Sequence, residues 1–438
     1  MTLTGRNEWS STLPNENISF FYPSVSTSFI FTELEPLRGI NHILSYGKLR
    51  GSWARVGKDA NPYSIRAFLE PKATTGGGFG YGFTGPSPDL RPEMTTSYEF
   101  GTELKFFNNR FGIDATYFNK LSEDQIVQDM RLSYATGFVL QAFNAGKMRT
   151  EGIELQLNAA PVVNTNFTWD VLANFTHLWS ELISLPTGVN EFYMSDTWLY
   201  GNVRNGSVIG GPLTTLTGFD YQRNEAGELL IDPNTGYPLR DLTEWKIVGD
   251  RQPDFTIGLT NSFTYKNMSL SFLLDFRKGG DIYNATEHLL TARGLSMRTL
   301  DREKPVVFDG VLKDGNENSA NPTRNTKVID PSRDMNYWST SYGLPEINFI
   351  EKDINWVRLR DVTFNYNLTP NMLSRVNFIK SGSVFVTATD LFILTNYSGL
   401  DPVVNGNSAA VGGSGGVGFD YGNFPMPIGV NFGVRVGF

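Results

Sequence analysis

Two short motifs in this 438-residue sequence have the spacing of enzymatic sites. Residues 80–85 (GYGFTG) match the glycine spacing of a dinucleotide-binding loop, which needs a preceding strand and a following helix whose N-terminus meets the pyrophosphate. Here Pro-Ser-Pro at 86–88 follows, so nucleotide binding is not indicated. Residues 412–416 (GGSGG) match the spacing around a nucleophilic serine, but they lie in a Gly/Ser-rich tract with no following helix. We therefore expect no enzyme activity and no cofactor.

Residue types that commonly bind metal ions or nucleic acids do not form a recognisable motif in this sequence. The three histidines, His42, His177 and His288, are far apart and the chain has no cysteine, so a zinc site is not expected. Acidic loop residues such as Asp309 and Asp314 lack the ligand order of a calcium-binding loop. The net charge of −8 provides no basic stripe to neutralise phosphates, which argues against a nucleic-acid partner.

Aromatic residues in two loop regions are the candidates for substrate contact. They are Tyr193, Trp198 and Tyr200 in one region and Trp338 in another. Flat aromatic faces bind sugar rings or peptide side chains through apolar contact. The same rings could instead pack within the loops or form an aromatic girdle at a membrane interface. The sequence leaves both interpretations open.

The elements that must position these loops are β-strands, because the dominant hydrophobic period is two. Residues 98–106 alternate between apolar and polar side chains, and the last strand alternates more strictly. In that strand we expect Asn431 and Arg435 on the polar side. The side chains expected to face lipid are Ile428, Val430, Phe432, Val434, Val436 and Phe438.

The alternation predicts about twelve strands. Many are near ten residues or longer, which is the length of a membrane-spanning strand, whereas soluble strands average five or six. The predicted strands lie near residues 1–11, 21–32, 42–57, 94–107, 110–123, 147–160, 167–183, 253–265, 268–281, 354–368, 381–395 and 427–438.

Connections of two kinds are expected to alternate along the chain without exception. Short turns, such as residues 108–109 and 266–267, alternate with long loops near 12–20, 58–93, 124–146, 184–252, 282–353 and 396–426. Outer-membrane barrels have this asymmetry, with short periplasmic turns and long extracellular loops. A soluble sandwich has no reason to place all its long loops at one end.

Composition is compatible with a barrel in a bacterial outer membrane. Aromatic residues make up 13 % of the chain and glycines number 44, as suits girdles and tight turns. Mean hydropathy is −0.24, which a barrel tolerates because only alternate residues meet lipid. The sequence thus predicts an all-β fold, a transmembrane antiparallel β-barrel.

Phe438, with Phe432 in phase, matches the C-terminal signal by which barrel-assembly machinery recognises its clients.

Seven blocks of sequence resemble the SusC/RagA-type TonB-dependent outer-membrane transporters. They occur in family order over the whole chain, so the resemblance is specific. The blocks are residues 3–14 (LTGRNEWSSTLP), 21–26 (FYPSVS), 46–53 (YGKLRGSW), 90–93 (LRPE), 144–154 (NAGKMRTEGIE), 357–362 (VRLRDV) and 399–402 (GLDP).

The resemblance implies a 22-stranded barrel closed by an N-terminal plug domain. It also implies import of glycan oligomers or peptides, with a SusD-like surface lipoprotein as partner and a TonB complex as energy source. Residues 1–438 would form the C-terminal barrel portion, without plug domain, TonB box or signal peptide. We expect a fragment or a split subunit whose wall other strands complete.

Two other functions stay open from the sequence. A self-contained barrel of about twelve strands would act as a passive pore or adhesin, and it requires the first and last strands to pair. A secreted β-rich glycan-binding protein would need no membrane, but long loops at one end and the terminal Phe438 count against it.

Overall fold

A computed structural model describes residues 1–71, 77–82, 84–131, 135, 137–193, 202–374, 378–403 and 417–438. Its main element is one antiparallel sheet of twelve strands in which each strand pairs with the next wall strand along the chain. Antiparallel neighbours of this kind form when each connection returns the chain directly beside the strand it has left. The predicted antiparallel arrangement of about twelve strands is therefore confirmed.

All twelve predicted strands are present, with ends that differ by a few residues. They are β1 Thr2–Trp9, β2 Ser19–Ile30, β3 Leu44–Lys58, β4 Glu93–Phe106, β5 Phe111–Glu123, β6 Lys147–Val163, β7 Phe167–Ser184, β8 Phe255–Tyr265, β9 Met268–Lys278, β10 Trp356–Asn367, β11 Ser381–Thr395 and β12 Gly429–Gly437. The longest, β7, has 18 residues, more than the 9–11 that cross a bilayer, so it extends beyond the membrane.

Three of the five turns at one end of the sheet are short, and the other two, residues 31–43 and 368–380, contain short helices. Residues 107–110 join β4 to β5 with three successive positive-φ residues, two of them asparagines, a type that tolerates this conformation. Residues 266–267 join β8 to β9, and Lys266 also has positive φ. Between β6 and β7, the Asn164 side chain accepts backbone N–H groups from Asn166 and Phe167.

The expected strict alternation of connection lengths is wrong at the first hairpins. The connection from β2 to β3 spans residues 31–43 and contains two 3₁₀ helices, Phe31–Glu33 and Glu35–Ile40. It is longer than the loop that joins β1 to β2 at the opposite end of the sheet, which spans residues 10–18. The prediction extended both strands into these residues because their ends are apolar and β-forming. Long connections also separate later wall strands, at residues 59–92, 124–146, 185–254, 279–355 and 396–428.

The long connections at the other end of the sheet fold against one another. One cluster of buried residues joins the connections after β7, β9 and β11; its members are Val203, Leu216, Val248, Tyr283, Ala285, Leu344, Phe349, Ile350 and Phe419. We call residues 202–252 and 279–355 the loop body. It includes the helix Ala285–Ala292, which was not predicted, although Asn284 caps it by accepting the Glu287 N–H.

The two edges of the sheet are β1 and β12, and they do not pair with each other. The self-contained pore or adhesin requires that pairing, so the described sheet does not support it. Among the residues that the structure describes, no helix is long and apolar enough to cross a membrane.

Candidate functional site

The pairing register shows that the sheet has one apolar face and one polar face. One row crosses β7 to β12 through Trp169, Phe263, Leu270, Phe364, Val386 and Phe432. The adjacent residues form the opposite row, which is Asp170, Ser262, Ser271, Thr363, Thr387 and Asn431. Because neighbouring residues of a strand point to opposite faces, the first row suits lipid and the second suits water.

Two tryptophans on the apolar face of β7 mark its upper and lower limits. Trp169 and Trp179 are ten residues apart, and on a tilted strand this separates them by about 25 Å along the barrel axis, the height of an outer-membrane apolar band. The Trp169 N–H donates to Asn261 Oδ1 at 3.1 Å, and the Trp179 N–H donates to Glu151 Oε2 at 3.0 Å. Both indoles therefore have the apolar ring and satisfied N–H expected at an interface.

The polar face of β3 to β5 carries a network of paired charges, which we call the charged arc. Arg50 makes a bidentate pair with Asp114, with N···O distances of 3.0 and 2.5 Å. Glu103 accepts Lys48 at 3.3 Å and Lys105 at 3.2 Å. These side chains are about one-third exposed, so water screens the pairs and they fix side-chain positions more than they stabilise the wall.

A buried ion pair ties the long loop after β11 to the wall. Arg358 on β10 donates to Asp401 at 2.5 Å, and their side chains are 3 % and 6 % exposed. Asp401 also accepts the N–H groups of Val403 at 2.9 Å and Met426 at 3.1 Å. Burial tends to raise the pKa of Asp401. Arg358 and the two N–H groups lower the pKa by more than burial raises it, so the pKa lies below its ordinary value.

A second anchor holds the loops after β3 and β5. The Asn144 side chain accepts the Arg91 N–H at 2.8 Å and donates to the carbonyls of Arg91 at 2.8 Å and Asp124 at 2.7 Å. Glu93 accepts the Ile126 N–H at 2.8 Å. The sequence blocks at 90–93, 144–154, 357–362 and 399–402 thus meet in pairs at the end of the sheet that carries the long loops. Sequence reasoning found the blocks but not these long-range pairings.

His288 lies at the centre of the loop body and is fully buried. Its Nε2 bonds the Leu344 carbonyl at 2.8 Å, and because a carbonyl only accepts, Nε2 carries the proton. Nδ1 is then free to accept from the Tyr283 hydroxyl at 2.8 Å, and the ring stacks on Phe349 at 4.2 Å. Burial is the main reason that the pKa of His288 falls to about 4.

The loop body should therefore lose stability as the pH falls. Below the ordinary histidine pKa of about 6.5 the unfolded chain takes up a proton that folded His288 refuses, so the stabilisation is complete above pH 6.5 and declines towards pH 4. The loss reaches about 3 kcal/mol at about 1.4 kcal/mol per pKa unit. Limited proteolysis should cut the loop body, residues 202–252 and 279–355, faster at pH 5 than at pH 7.5. His288→Gln should remove most of this difference, and an unchanged difference would contradict the assignment.

The predicted substrate-contact residues are only partly described. Trp338 is half-buried against the loop-body core, and its N–H donates to the Pro331 carbonyl at 2.8 Å. Tyr193 ends a short strand, Glu191–Tyr193, but its side chain is outside the described residues, as are Trp198 and Tyr200. The role of these four residues in substrate contact stays a prediction.

The predicted assembly residues lie in phase with the apolar face of β12. Phe432 is 81 % exposed and Phe438 is 73 % exposed, and Phe438 stacks on Phe378 with ring centroids 5.9 Å apart. Their recognition by assembly machinery stays a prediction. Among the described residues, no group of three His, Asp or Glu side chains could hold a metal ion. In the dinucleotide-like motif at residues 80–85, a short strand, Thr84–Gly85, and not a helix follows Gly82. The serine motif at residues 412–416 lies outside the described residues.

A wall of long antiparallel strands with a lipid-type face, a water-type face and loops folded at one end defines an outer-membrane β-barrel protein. The family model "TonB dependent receptor-like, beta-barrel" matches residues 1–272, and the chain belongs to this family. TonB-dependent receptor P3 of Formosa agariphila is 25 % identical over 454 residues, covering 97 % of this chain and 42 % of that protein. TonB-dependent receptor SusC of Bacteroides thetaiotaomicron is 24 % identical over 429 residues, covering 92 % and 40 %.

The fold is also that of a solved transporter. The structure of the RagAB peptide transporter matches with a TM-score of 0.72 and 20 % identity, covering 99 % of this chain and 45 % of that one. The chain thus spans less than half the length of the relatives it matches. The SusC/RagA-type resemblance and the outer-membrane location are confirmed, which excludes a secreted binding protein. The family is one of transporters, not of enzymes.

Proposed function

We propose that this chain forms part of the wall and the outer loops of an importer that takes up glycan oligomers or peptides. The observation that carries the proposal is the two-faced wall capped at one end by a folded loop body. A lipid-type outer face and a polar inner face suit a hydrated passage, and a folded cap suits capture of a solute before it enters. The solved structure described as the RagAB peptide transporter supports the peptide class, and the glycan class rests on the SusC/RagA-type sequence resemblance.

The same relatives support a choice of partners for the proposed importer. The RagAB structures, described as a peptide importer in closed-closed and open-open states, support pairing with a SusD-like surface lipoprotein over the loop body. The energy for import would come from a TonB complex. Outer-membrane lipid covers the apolar face, and the assembly machinery inserts the wall. The long loops near 58–93, 184–252, 282–353 and 396–426 face the outside.

A growth experiment tests the function directly. The gene that encodes this chain is deleted, and the strain is grown on neutral oligosaccharides, charged oligosaccharides, neutral peptides or charged peptides as sole carbon source. The deletion should abolish growth on one of these classes and leave growth on glucose unchanged, with restoration by the intact gene. Equal growth of deleted and parent strains on every class would refute import as the function.

A further inference from the structure

Two arginines meet where the water-type face of the wall joins the loop body. Arg277 lies near the end of β9 on that face, between Thr256 and Trp356 in register. Arg251 belongs to the connection that leads from β7 into β8. The Arg277 Nη2 group donates to the Arg251 carbonyl at 2.6 Å, so the two residues are direct neighbours. We call them the arginine pair.

Main-chain carbonyls, which carry no full charge, are the hydrogen-bond acceptors of both guanidinium groups. Arg251 donates from Nε to the Thr214 carbonyl at 3.0 Å and from Nη1 to the Val417 carbonyl at 3.2 Å. Arg277 donates from Nε to the Gly279 carbonyl at 3.1 Å, in addition to its bond with Arg251. These bonds fix the position of each guanidinium but do not neutralise its charge.

The carboxylates near the arginine pair have other partners. Asp275 Oδ2 accepts from Arg360 at 3.0 Å, and Asp250 Oδ1 accepts the Thr214 hydroxyl at 2.6 Å. Their charges act on the arginine pair through space. Within the described part of the chain, however, neither member of the pair forms a direct ion pair with these or other carboxylates, whereas Arg360 does. The arginine pair is therefore hydrogen-bonded but has no carboxylate of its own.

The surroundings of Arg251 are unfavourable for a cation. Burial is the main reason that the pKa of Arg251 lies below its ordinary value; the Asp250 charge raises this pKa, and the Arg277 charge lowers it. A carboxylate that binds a buried cation through hydrogen bonds offsets such a cost. Each arginine also keeps one terminal nitrogen without an acceptor among the described residues, Nη2 of Arg251 and Nη1 of Arg277. Neither nitrogen is among the fully buried atoms that lack a partner, so solvent reaches both.

The ring of Trp356 holds the guanidinium of Arg277 in place. The Arg277 Cζ atom lies 4.7 Å from the ring centroid, and Trp356 is itself only 7 % exposed. Gly280 leaves the space that this guanidinium occupies, because a Cβ there would collide with Arg277 Nη2. A guanidinium that is already oriented loses little freedom when a ligand binds, which favours recognition of a planar carboxylate.

We propose that the arginine pair binds a carboxylate of the cargo where the cargo passes from the loop body to the water-type face of the wall. The planar fork of a guanidinium matches the two oxygens of a carboxylate. Uronate-bearing glycans and peptides both carry this group. The inference rests on the proposed importer function and adds a binding site and a required chemical group to it.

Equilibrium binding to the purified full-length protein in detergent tests the site without transport. The fluorescent probes form two matched sets: oligogalacturonate with its methyl ester, and an alanine tripeptide with its C-terminal amide. The variants are Arg251→Gln and Arg277→Gln. Arg435→Gln is the matched control, because Arg435 also lies on the polar face and rests on an aromatic ring, Phe385, at 4.5 Å, but at the end of β12 near the short turns. Fluorescence anisotropy gives the Kd of each probe.

The parent protein should bind the free carboxylate of one matched set about tenfold more tightly than the ester or amide, and the set that shows this preference identifies the source of the carboxylate. Both glutamine variants should lose the preference, and Arg435→Gln should retain it. Equal binding of charged and neutral probes by the parent, binding of neither carboxylate, or equal loss in Arg435→Gln would overturn the proposal.

A second variant keeps the test decisive if a glutamine variant does not fold, as judged by heat-modifiable gel mobility. Arg277→Lys keeps the charge but loses the planar fork, so it should bind the carboxylate probe about threefold or more weakly, and unchanged binding would contradict the site. The growth experiment with the deleted gene is independent of this assay. Growth that depends on the gene, together with no carboxylate preference, would refute the site and leave the importer function standing.

Discussion

Leu155→Arg should prevent assembly of the wall, whereas Gln156→Arg should be tolerated. Leu155 lies in the middle of β6 on the apolar face, opposite Ala115 and Phe175 in register. A charge placed there meets hydrocarbon near the bilayer centre and costs about 2–4 kcal/mol. Gln156 is the next residue and lies on the polar face opposite Asp114 and Asn174, where an arginine stays hydrated and has a carboxylate beside it.

The measurement is the amount of folded protein in purified outer membranes, read from urea resistance and heat-modifiable gel mobility. A loss of 2–4 kcal/mol shifts the folding equilibrium by about 30- to 1,000-fold, at 1.4 kcal/mol per factor of ten. The two variants introduce the same side chain one residue apart, so differences in expression are controlled. Normal assembly of Leu155→Arg together with failure of Gln156→Arg would reverse the two faces.

Arg358→Met should release the last outer loop from the wall. The change leaves Asp401 buried without its cation, and it also removes the 3.3 Å contact with Asp390. Breaking one side of a buried ion pair costs about 3–5 kcal/mol, because the remaining charge has lost both water and partner. Residues 396–428 should then be cut rapidly by protease on intact cells, and nutrient uptake should fall.

The matched control is an exposed pair on the loop body. Lys304 bonds Asp301 at 2.9 Å, and both side chains are at least 70 % exposed, so Lys304→Met should cost less than about 1 kcal/mol and leave proteolysis unchanged. The double variant Arg358→Met/Asp401→Asn should recover part of the protection, since the buried carboxylate is gone and the amide oxygen still accepts one of the two backbone N–H groups. Equal protection of Arg358→Met and the parent would show that this pair does not hold the loop.

Strand positions could be predicted from sequence because each strand needs only local information. In β6 and β12 the alternation of apolar and polar side chains indicates which residues face lipid. This assignment does not depend on contacts with distant parts of the chain. The register then follows from the short turns, such as 107–110 and 266–267, which fix how strands are paired. The lipid-type and water-type faces of the wall can therefore be predicted largely from the two-residue hydrophobic period of the strands.

The outer rim was not predictable in the same way. The Arg358–Asp401 pair joins residues that are 43 positions apart, and the Asn144 anchor reaches back 53 positions to Arg91. No periodicity links such residues, because loop folding depends on tertiary contacts. The helix at Ala285–Ala292 had a local signal, Asn284 followed three residues later by Glu287, but eight residues form a marginal helix without packing.

The central claim, that this chain is an outer-membrane wall with its loop body outside, is tested most directly by labelling single cysteines on intact cells. Asn234→Cys places a thiol in an outer loop and Arg110→Cys places one in the turn between β4 and β5; both sites are exposed. A membrane-impermeant maleimide should label Asn234→Cys on intact cells, and Arg110→Cys only after the outer membrane is permeabilised. Labelling of Arg110→Cys from outside, with Asn234→Cys protected, would contradict the account.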